Sequence, residues 1–280
     1  MTHPKKSSSG NFEEVNNTLP QLTIKVKKLP SKSIPYPDNA RIQYRPYTFG
    51  ELRLIATSRM DEKSSMEFVL KGIQTNFPKE DLTMSDLIYL GLMRKLSTFN
   101  DIQFRVNYTC AKCKKKTYGK FTKDDMEFSD IQADSLPAMA DLSDGNKYEF
   151  MPLTVGGYFA LFDNNLHHDP TAMSATLCSN VEFKKFFEYL NNSVDYEDTE
   201  IMDEVEKVLD HGLKPIESTC KWKGCDKKMH LALERRQGLI MPFRKGKKSK
   251  STRVYFGKGD VDISTSSGED GIHESEGASH

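Results

Sequence analysis

Apolar and polar residues alternate from Leu22 to Val26 and again from Arg41 to Arg45, where the run reads RIQYR. That period predicts short half-buried strands on either side of the Pro-rich turn at Pro35 and Pro37, an opening hairpin. The period lengthens at Thr48. Thr48 and Glu51 have capping-box spacing, and Leu52, Ile55, Ala56 and Met60 recur at helical intervals, which predicts a first helix from about Phe49 to Arg59. A second helix is expected over about Ser64 to Thr75. A third opens at Thr83 with Asp86, sets Leu87, Leu90, Met93 and Arg94 on one face and ends before Asn100. Together with the hairpin, these helices make residues 19–100 a compact N-terminal unit.

Alternation then returns. Ile102, Phe104, Val106 and Tyr108 lead as a strand into Cys110, and KKKTYGKFT after Cys113 suits a return strand with Tyr118 and Phe121 as its larger residues. Residues 141–152 read as a polar turn and the short strand KYEFMP. Three helical segments follow near 154–166, 172–190 and 199–210, with Phe183, Phe186, Phe187 and Leu190 as the expected buried face. Gly212 is expected to cap the last of them. The stretch LKPIEST then runs extended to Cys220, and Met229, Leu231 and Leu233 alternate as a further strand. The fold class expected from this pattern is α+β, mostly helical, with short antiparallel hairpins. The strand, cysteine pair and strand units at 102–122 and 213–234 resemble each other.

Cys110-Ala-Lys-Cys113 is a C-x2-C pair and Cys220-Lys-Trp-Lys-Gly-Cys225 a C-x4-C pair. One tight turn supplies two sulfurs separated by about the edge of a tetrahedron, so two such turns between strands read as a zinc-ribbon-like knuckle pair. Its halves are residues 101–125 and 213–243, interrupted by a helical insertion at 126–212. Four thiolates leave no open coordination position, so the expected zinc is structural. Redox catalysis by the C-x2-C wants a helix start that KKKTYG does not provide. Two disulfides need an oxidising compartment, and two unrelated cysteine pairs remain the plainest alternative. Cys178, in an apolar run, reads as a small core residue. His167 and His168 complete no catalytic set, His211 reads as a helix C-terminal residue, and His230 as an exposed strand residue.

Composition changes this picture at one place. Forty Lys plus Arg balance forty Asp plus Glu, so a charged partner is met locally rather than by the whole molecule. Lys112, Lys114, Lys115, Lys116, Lys120 and Lys123 flank the first pair, and Lys221, Lys223, Lys227 and Lys228 the second. Part of that charge offsets the double negative charge of a zinc bound by four thiolates. The remainder, with Trp222 as a stacking surface, makes Lys112, Lys114, Lys115, Lys116, Lys221, Trp222 and Lys223 a candidate nucleic-acid patch, against the plainer reading of a solvated face. The 37% hydrophobic content builds a core, while residues 1–18 and 244–280 read as disordered arms, the latter basic and then acidic. MTHPKKSSSG carries no apolar run after its lysines, and no stretch approaches a membrane span, so neither a secretory leader nor a membrane association is expected. No phosphate loop, G-x-G-x-x-G after a strand, G-x-S-x-G or metal-hydrolase helix is present, so neither an enzyme nor a small-molecule substrate is expected.

The order of YRPYTFGE, a helical bundle, a strand into YTCAKC, an interior helical unit, LKPIESTCKWKGCDKKMHLALE and a closing LIMPF resembles the baseplate hub proteins of T-even-type bacteriophages, the family that includes the hub assembly chaperone. The resemblance covers about residues 19–243 and rests on Tyr44, Arg45 and Pro46, the two cysteine pairs, and Pro242 with Phe243. It implies a non-enzymatic morphogenesis protein of a contractile-tailed virus, resident subunit or chaperone. Its partners would be other baseplate hub proteins, and its place the host cytoplasm and the virion tail baseplate. A nucleic-acid-binding zinc-ribbon protein is the alternative from another class.

Overall fold

The computed structural model describes residues 23–231 apart from 59, 100–102 and 194. The two arms and Leu233 fall outside the described residues. Strand β1 (Ile24–Lys25) pairs antiparallel with β2 (Ile42–Tyr44), as the alternation at both places predicts. Helix α1 (Phe49–Thr57) begins at a complete capping box. The Thr48 hydroxyl accepts from the Glu51 amide, and the Glu51 carboxylate accepts from the Thr48 amide. Helices α2 (Glu62–Leu70) and α3 (Met84–Thr98) are capped by the side chains of Asp61 and Thr83.

The expected second helix differs at its end. It stops at Leu70, and β3 (Ile73–Thr75) instead pairs antiparallel with β2 to complete a three-stranded sheet in the order β1-β2-β3. Gly72 weakens the helix, while Ile73 and Thr75 are β-branched and Ile73 is wholly buried. Gly72 also has a packing reason: a Cβ there would lie 2.0 Å from Cζ of Arg94.

Arg94 is fully buried, on the very helix face that Leu87 and Leu90 share. Its Nε donates to the Arg45 carbonyl at 2.9 Å and Nη1 to the Phe68 and Val69 carbonyls at 3.3 and 3.2 Å. Nη2 reaches Glu51 at 2.8 Å, and the guanidinium lies 3.9 Å from the Tyr47 ring centroid. Arg45 grips the same carboxylate through two bonds, of 2.7 and 2.8 Å. Burial pushes the Glu51 carboxyl up, but the bonds from Arg45, the Thr48 amide and Arg94 outweigh it and hold it at about 2. One carboxylate thereby ties the start of α1 to β2 and α3, while Arg94 satisfies carbonyls at the end of α2.

Strands β4 (Phe104–Thr109) and β5 (Lys116–Phe121) form the first cysteine-bearing hairpin, with Phe104 opposite Phe121 and Thr109 opposite Lys116. Strands β10 (Ile216–Thr219) and β11 (Lys228–Leu231) form the second, Ile216 opposite Leu231. Phe104, Tyr108, Phe121, Ile216 and Leu231 are buried in the same apolar cluster as Ile42, Ile55, Phe68, Ile73, Leu87 and Leu90. Both hairpins therefore stand on the N-terminal core.

Between the hairpins come β6 (Phe128–Ser129), β7 (Ala138–Asp141) and β8 (Lys147–Phe150), then α4 (Val155–Asp163), α5 (Pro170–Leu177), α6 (Phe183–Asn192), α7 (Tyr196–Leu209) and β9 (Gly212–Leu213). The single helix expected over 172–190 is two. The break falls where Ser179 donates its amide to the Glu149 carbonyl and Asn180 bonds both the Glu149 amide and the Lys147 carbonyl, so short polar side chains dock on β8 instead of continuing the helix. Gly212 is not the cap expected of it. Asp210 ends α7, and Gly212, at φ +112°, starts β9 opposite Ser129. Phe186 is the fully buried member of the expected aromatic face, in a second cluster with Phe150, Cys178, Met202, Val205 and Leu209. Above that cluster Asp198 accepts from the Ser143 amide and hydroxyl, the Ser193 hydroxyl and Tyr189, so its burial is outweighed and its carboxyl falls to about 2.

Arg94→Ala should cost about 3 kcal/mol in chemical denaturation, because it strips three carbonyls and half of a buried ion network. Gly72→Ala should be costly alone and much milder in the Arg94→Ala background, a coupling that a double-mutant cycle reads directly. For acid, the folded pKa values of Glu51 and Asp198 lie below their unfolded values. Their stabilisation is thus complete above roughly pH 4 and lost as pH falls through about 2. Asp198→Asn should flatten that part of the stability profile.

Candidate metal centre

The two hairpins turn at their cysteine pairs in the same manner. In the first, the Cys110 amide donates to the Lys115 carbonyl at 3.0 Å and the Lys114 amide to the Cys110 carbonyl at 2.9 Å. In the second, the Cys220 amide donates to the Lys227 carbonyl at 3.0 Å and the Cys225 amide to the Trp222 carbonyl at 2.9 Å. The longer C-x4-C loop closes with Gly224 at φ +79°, where a side chain would be strained, while the shorter loop places Lys114 at φ 58°. Each loop also aims amides at its first sulfur, those of Cys113 and Lys112 at Cys110 and that of Trp222 at Cys220.

The four sulfurs all lie within 4.8 Å of one another. Cys110 and Cys225 Sγ are 3.7 Å apart and Cys113 and Cys220 Sγ 3.8 Å, each pair bridging the two hairpins. These separations are far beyond a sulfur–sulfur bond of about 2.05 Å. They equal the edge, about 3.8 Å, of a tetrahedron with metal–sulfur bonds of about 2.3 Å. The donor set and its spacing therefore fit a tetrahedrally held metal ion. The four thiols alone already favour charge at one end. The amides of Cys113 and Lys112 bring Cys110 down to about 6, burial opposing them. At Cys220 the Trp222 amide favours the thiolate, but burial and the other three sulfurs outweigh it and push that thiol up to about 12.

Contacts beyond the sulfurs lock the hairpins together. Tyr108 and Ser218 hydroxyls meet at 3.0 Å, the Lys221 amide donates to the Thr117 hydroxyl at 3.2 Å, and the Trp222 indole donates to the Lys116 carbonyl at 2.8 Å. The flanking lysines do gather around the cysteines, though part of their charge is spent locally. Lys112 pairs with Asp226 at 3.0 Å, Lys228 pairs with Glu217 at 3.0 Å, and the Lys115 ammonium lies 4.4 Å from the Trp222 ring centroid. Lys114, Lys116, Lys221 and Lys223 are exposed on the same loops.

Cys178 is buried 9% exposed in the second core cluster, away from the metal-ligand set, and burial raises its thiol. His211 caps the carbonyl of Leu209 through Nδ1 at 2.7 Å, and its Nε2 meets the Thr83 hydroxyl at 3.1 Å. It is thus a buried tie between α7 and the start of α3 as well as a helix C-terminal residue, a second role its position beside Gly212 did not signal. His230 is exposed on β11. His167 packs with His168 and Phe162. No described helix is long and apolar enough to cross a membrane.

The sequence model of one protein family, described as T4 bacteriophage base plate protein, matches residues 21–236, a span that holds all four cysteines of the cluster. No curated protein and no solved structure matches the chain.

Cys110→Ser and Cys225→Ser should each lower bound metal and melting temperature together, because a metal held only in the folded state adds its binding free energy to stability. Cys178→Ser should leave metal content unchanged. Elemental analysis beside thermal melts reads both quantities, and full metal content in Cys225→Ser would contradict the four-sulfur set.

Proposed function

The chain belongs to the T4 bacteriophage base plate protein family, and from that premise we propose that it is a baseplate hub subunit or hub assembly chaperone, built as a non-enzymatic scaffold around a structural zinc. A phage baseplate protein has other baseplate proteins as its expected partners and the virion tail as its destination. In this reading it works in the host cytoplasm while the hub is built. The observation that carries the metal half of the reading is the gathering of four sulfurs from two hairpins within 4.8 Å, with two cross-hairpin pairs at the tetrahedral edge. Cysteine-only coordination favours zinc over harder ions, and a zinc ion with four thiolates has no position left for a substrate or water. The role left to such an ion is to clamp. The non-enzymatic reading is further supported by where the polar side chains are spent: Asp86, Asp198, Glu51 and Arg94 all serve buried structural networks.

A second reading rests on the exposed lysines and Trp222 at the knuckles, a surface that suits single-stranded nucleic acid. Its mark is an affinity that falls steeply as salt rises.

Co-expression with the hub proteins of the same phage should give a stoichiometric complex on gel filtration with the wild-type chain, and a much weaker one with Cys110→Ser. Failure to join any baseplate protein would contradict the hub assignment. Tight oligonucleotide binding at low salt, abolished by moderate salt, would transfer the weight to the second reading.

A further inference from the structure

The chain is electrically neutral as a whole, yet its charge is sorted. Lysines surround the cysteine loops, whereas α7 exposes Glu197, Glu200, Asp203, Glu204 and Glu206 against the one cation Lys207, which pairs with Glu204. Each of these two surfaces also carries an apolar feature. Among those lysines Trp222 is 46% exposed. Its only hydrogen-bond donor is already spent on the Lys116 carbonyl and the Lys115 ammonium lies over its ring, so the surface it offers is an aromatic ring held in a fixed pose beside a cation. Lys221 and Lys223 flank it in the chain, both exposed. Beside α7 a cleft of about 650 Å³ is lined by Met66, Met84 and Met173, with the carboxylates of Glu62, Asp203, Glu206 and Asp210 outnumbering the one ammonium, Lys207, in its lining. That volume lies within the roughly 300–1,000 Å³ of clefts that hold a compact ligand. Methionine linings adapt to inserted aromatic rings.

From this complementarity we infer that the Trp222 knuckle of one copy docks into the acidic methionine cleft of a second copy, in a head-to-tail contact. A buried tryptophan flanked by cations is the kind of anchor that dominates interface energy, and the opposed charges steer and orient it. None of the residues of the second cysteine loop lines the cleft, so the two surfaces of one chain do not meet each other. They are left for a neighbour. A contact of unlike surfaces propagates, and closes into a ring when the rotation between copies allows. The inference goes beyond the baseplate reading and stands on the charge and shape of this chain alone.

Sedimentation velocity of the full chain at low salt, across rising concentration, tests it. The wild type should associate. Trp222→Ala should weaken association by at least about tenfold, as loss of a central aromatic anchor does. The exposed charge reversal Asp203→Lys with Glu206→Lys should do the same without touching the knuckle, so the test survives if Trp222→Ala folds poorly. Neither variant alone should associate over the concentrations at which the wild type does. Mixed in equal amounts they should form a pair and stop there, since Trp222→Ala keeps a working cleft and the reversed chain keeps a working knuckle. A wild type that stays monomeric throughout, or association indifferent to both variants, overturns the inference. So does a Trp222-dependent affinity for oligonucleotides in a chain that never self-associates, which would make the knuckle a nucleic-acid surface.

Discussion

Four sulfurs set the terms for the rest of this molecule. They come from loops whose nearest members across the cluster are 107 residues apart in sequence, and they gather within 4.8 Å of one another, two of their cross-hairpin separations at the edge length of a tetrahedron. Bringing such distant loops together costs chain entropy that short hairpins cannot offset by their own strand pairing. A metal ion held by the four sulfurs would supply what the hairpins lack. Once the loops are joined, everything between them becomes an insertion tethered at both ends, and β6 to β9 with α4 to α7 must fold within that span. The hairpins are also anchored through Phe104, Phe121, Ile216 and Leu231 in the N-terminal core, so both tethers of the insertion rest on one base.

Buried polar chemistry plays the same tying role elsewhere. Arg94 and Glu51 join the first three helices to the opening sheet, and Asp86 gathers Ser31 and Tyr36 onto α3. Burial and the neighbouring Asp86 charge raise the Tyr36 phenol, so it stays a donor. Asp198 does the equivalent work among β7, α6 and α7. Directional ties of this kind define the fold more narrowly than apolar contact alone, because each bond specifies one geometry.

Much of this was legible in the residues. Cysteine pairs between alternating runs gave away the two hairpins, and Thr48 with Glu51 and Thr83 with Asp86 marked the starts of α1 and α3. The errors share a cause. Ile73 to Thr75 continues a helical apolar pattern, and only the partner strand Ile42–Tyr44 makes it β. Residues 178–182 read as helix until Ser179 and Asn180 find the backbone of β8. Gly212 has the composition of a cap but takes its positive φ at the start of a strand. In each case a distant segment decided the local state. The burial of Arg94 was equally hidden. Its spacing placed it on the apolar face of α3, but the carboxylate and carbonyls that make burial tolerable come from three other segments. The acidic methionine cleft drew its lining from five helices and had no signal in any one stretch of sequence.

The central claim is that one zinc ion closes the four-cysteine cluster. X-ray absorption at the zinc edge, on the full chain purified without added metal, measures it most directly. The account predicts one zinc per chain with four sulfur neighbours at about 2.3 Å. A chain without zinc, or zinc bound through nitrogen and oxygen ligands, would contradict it.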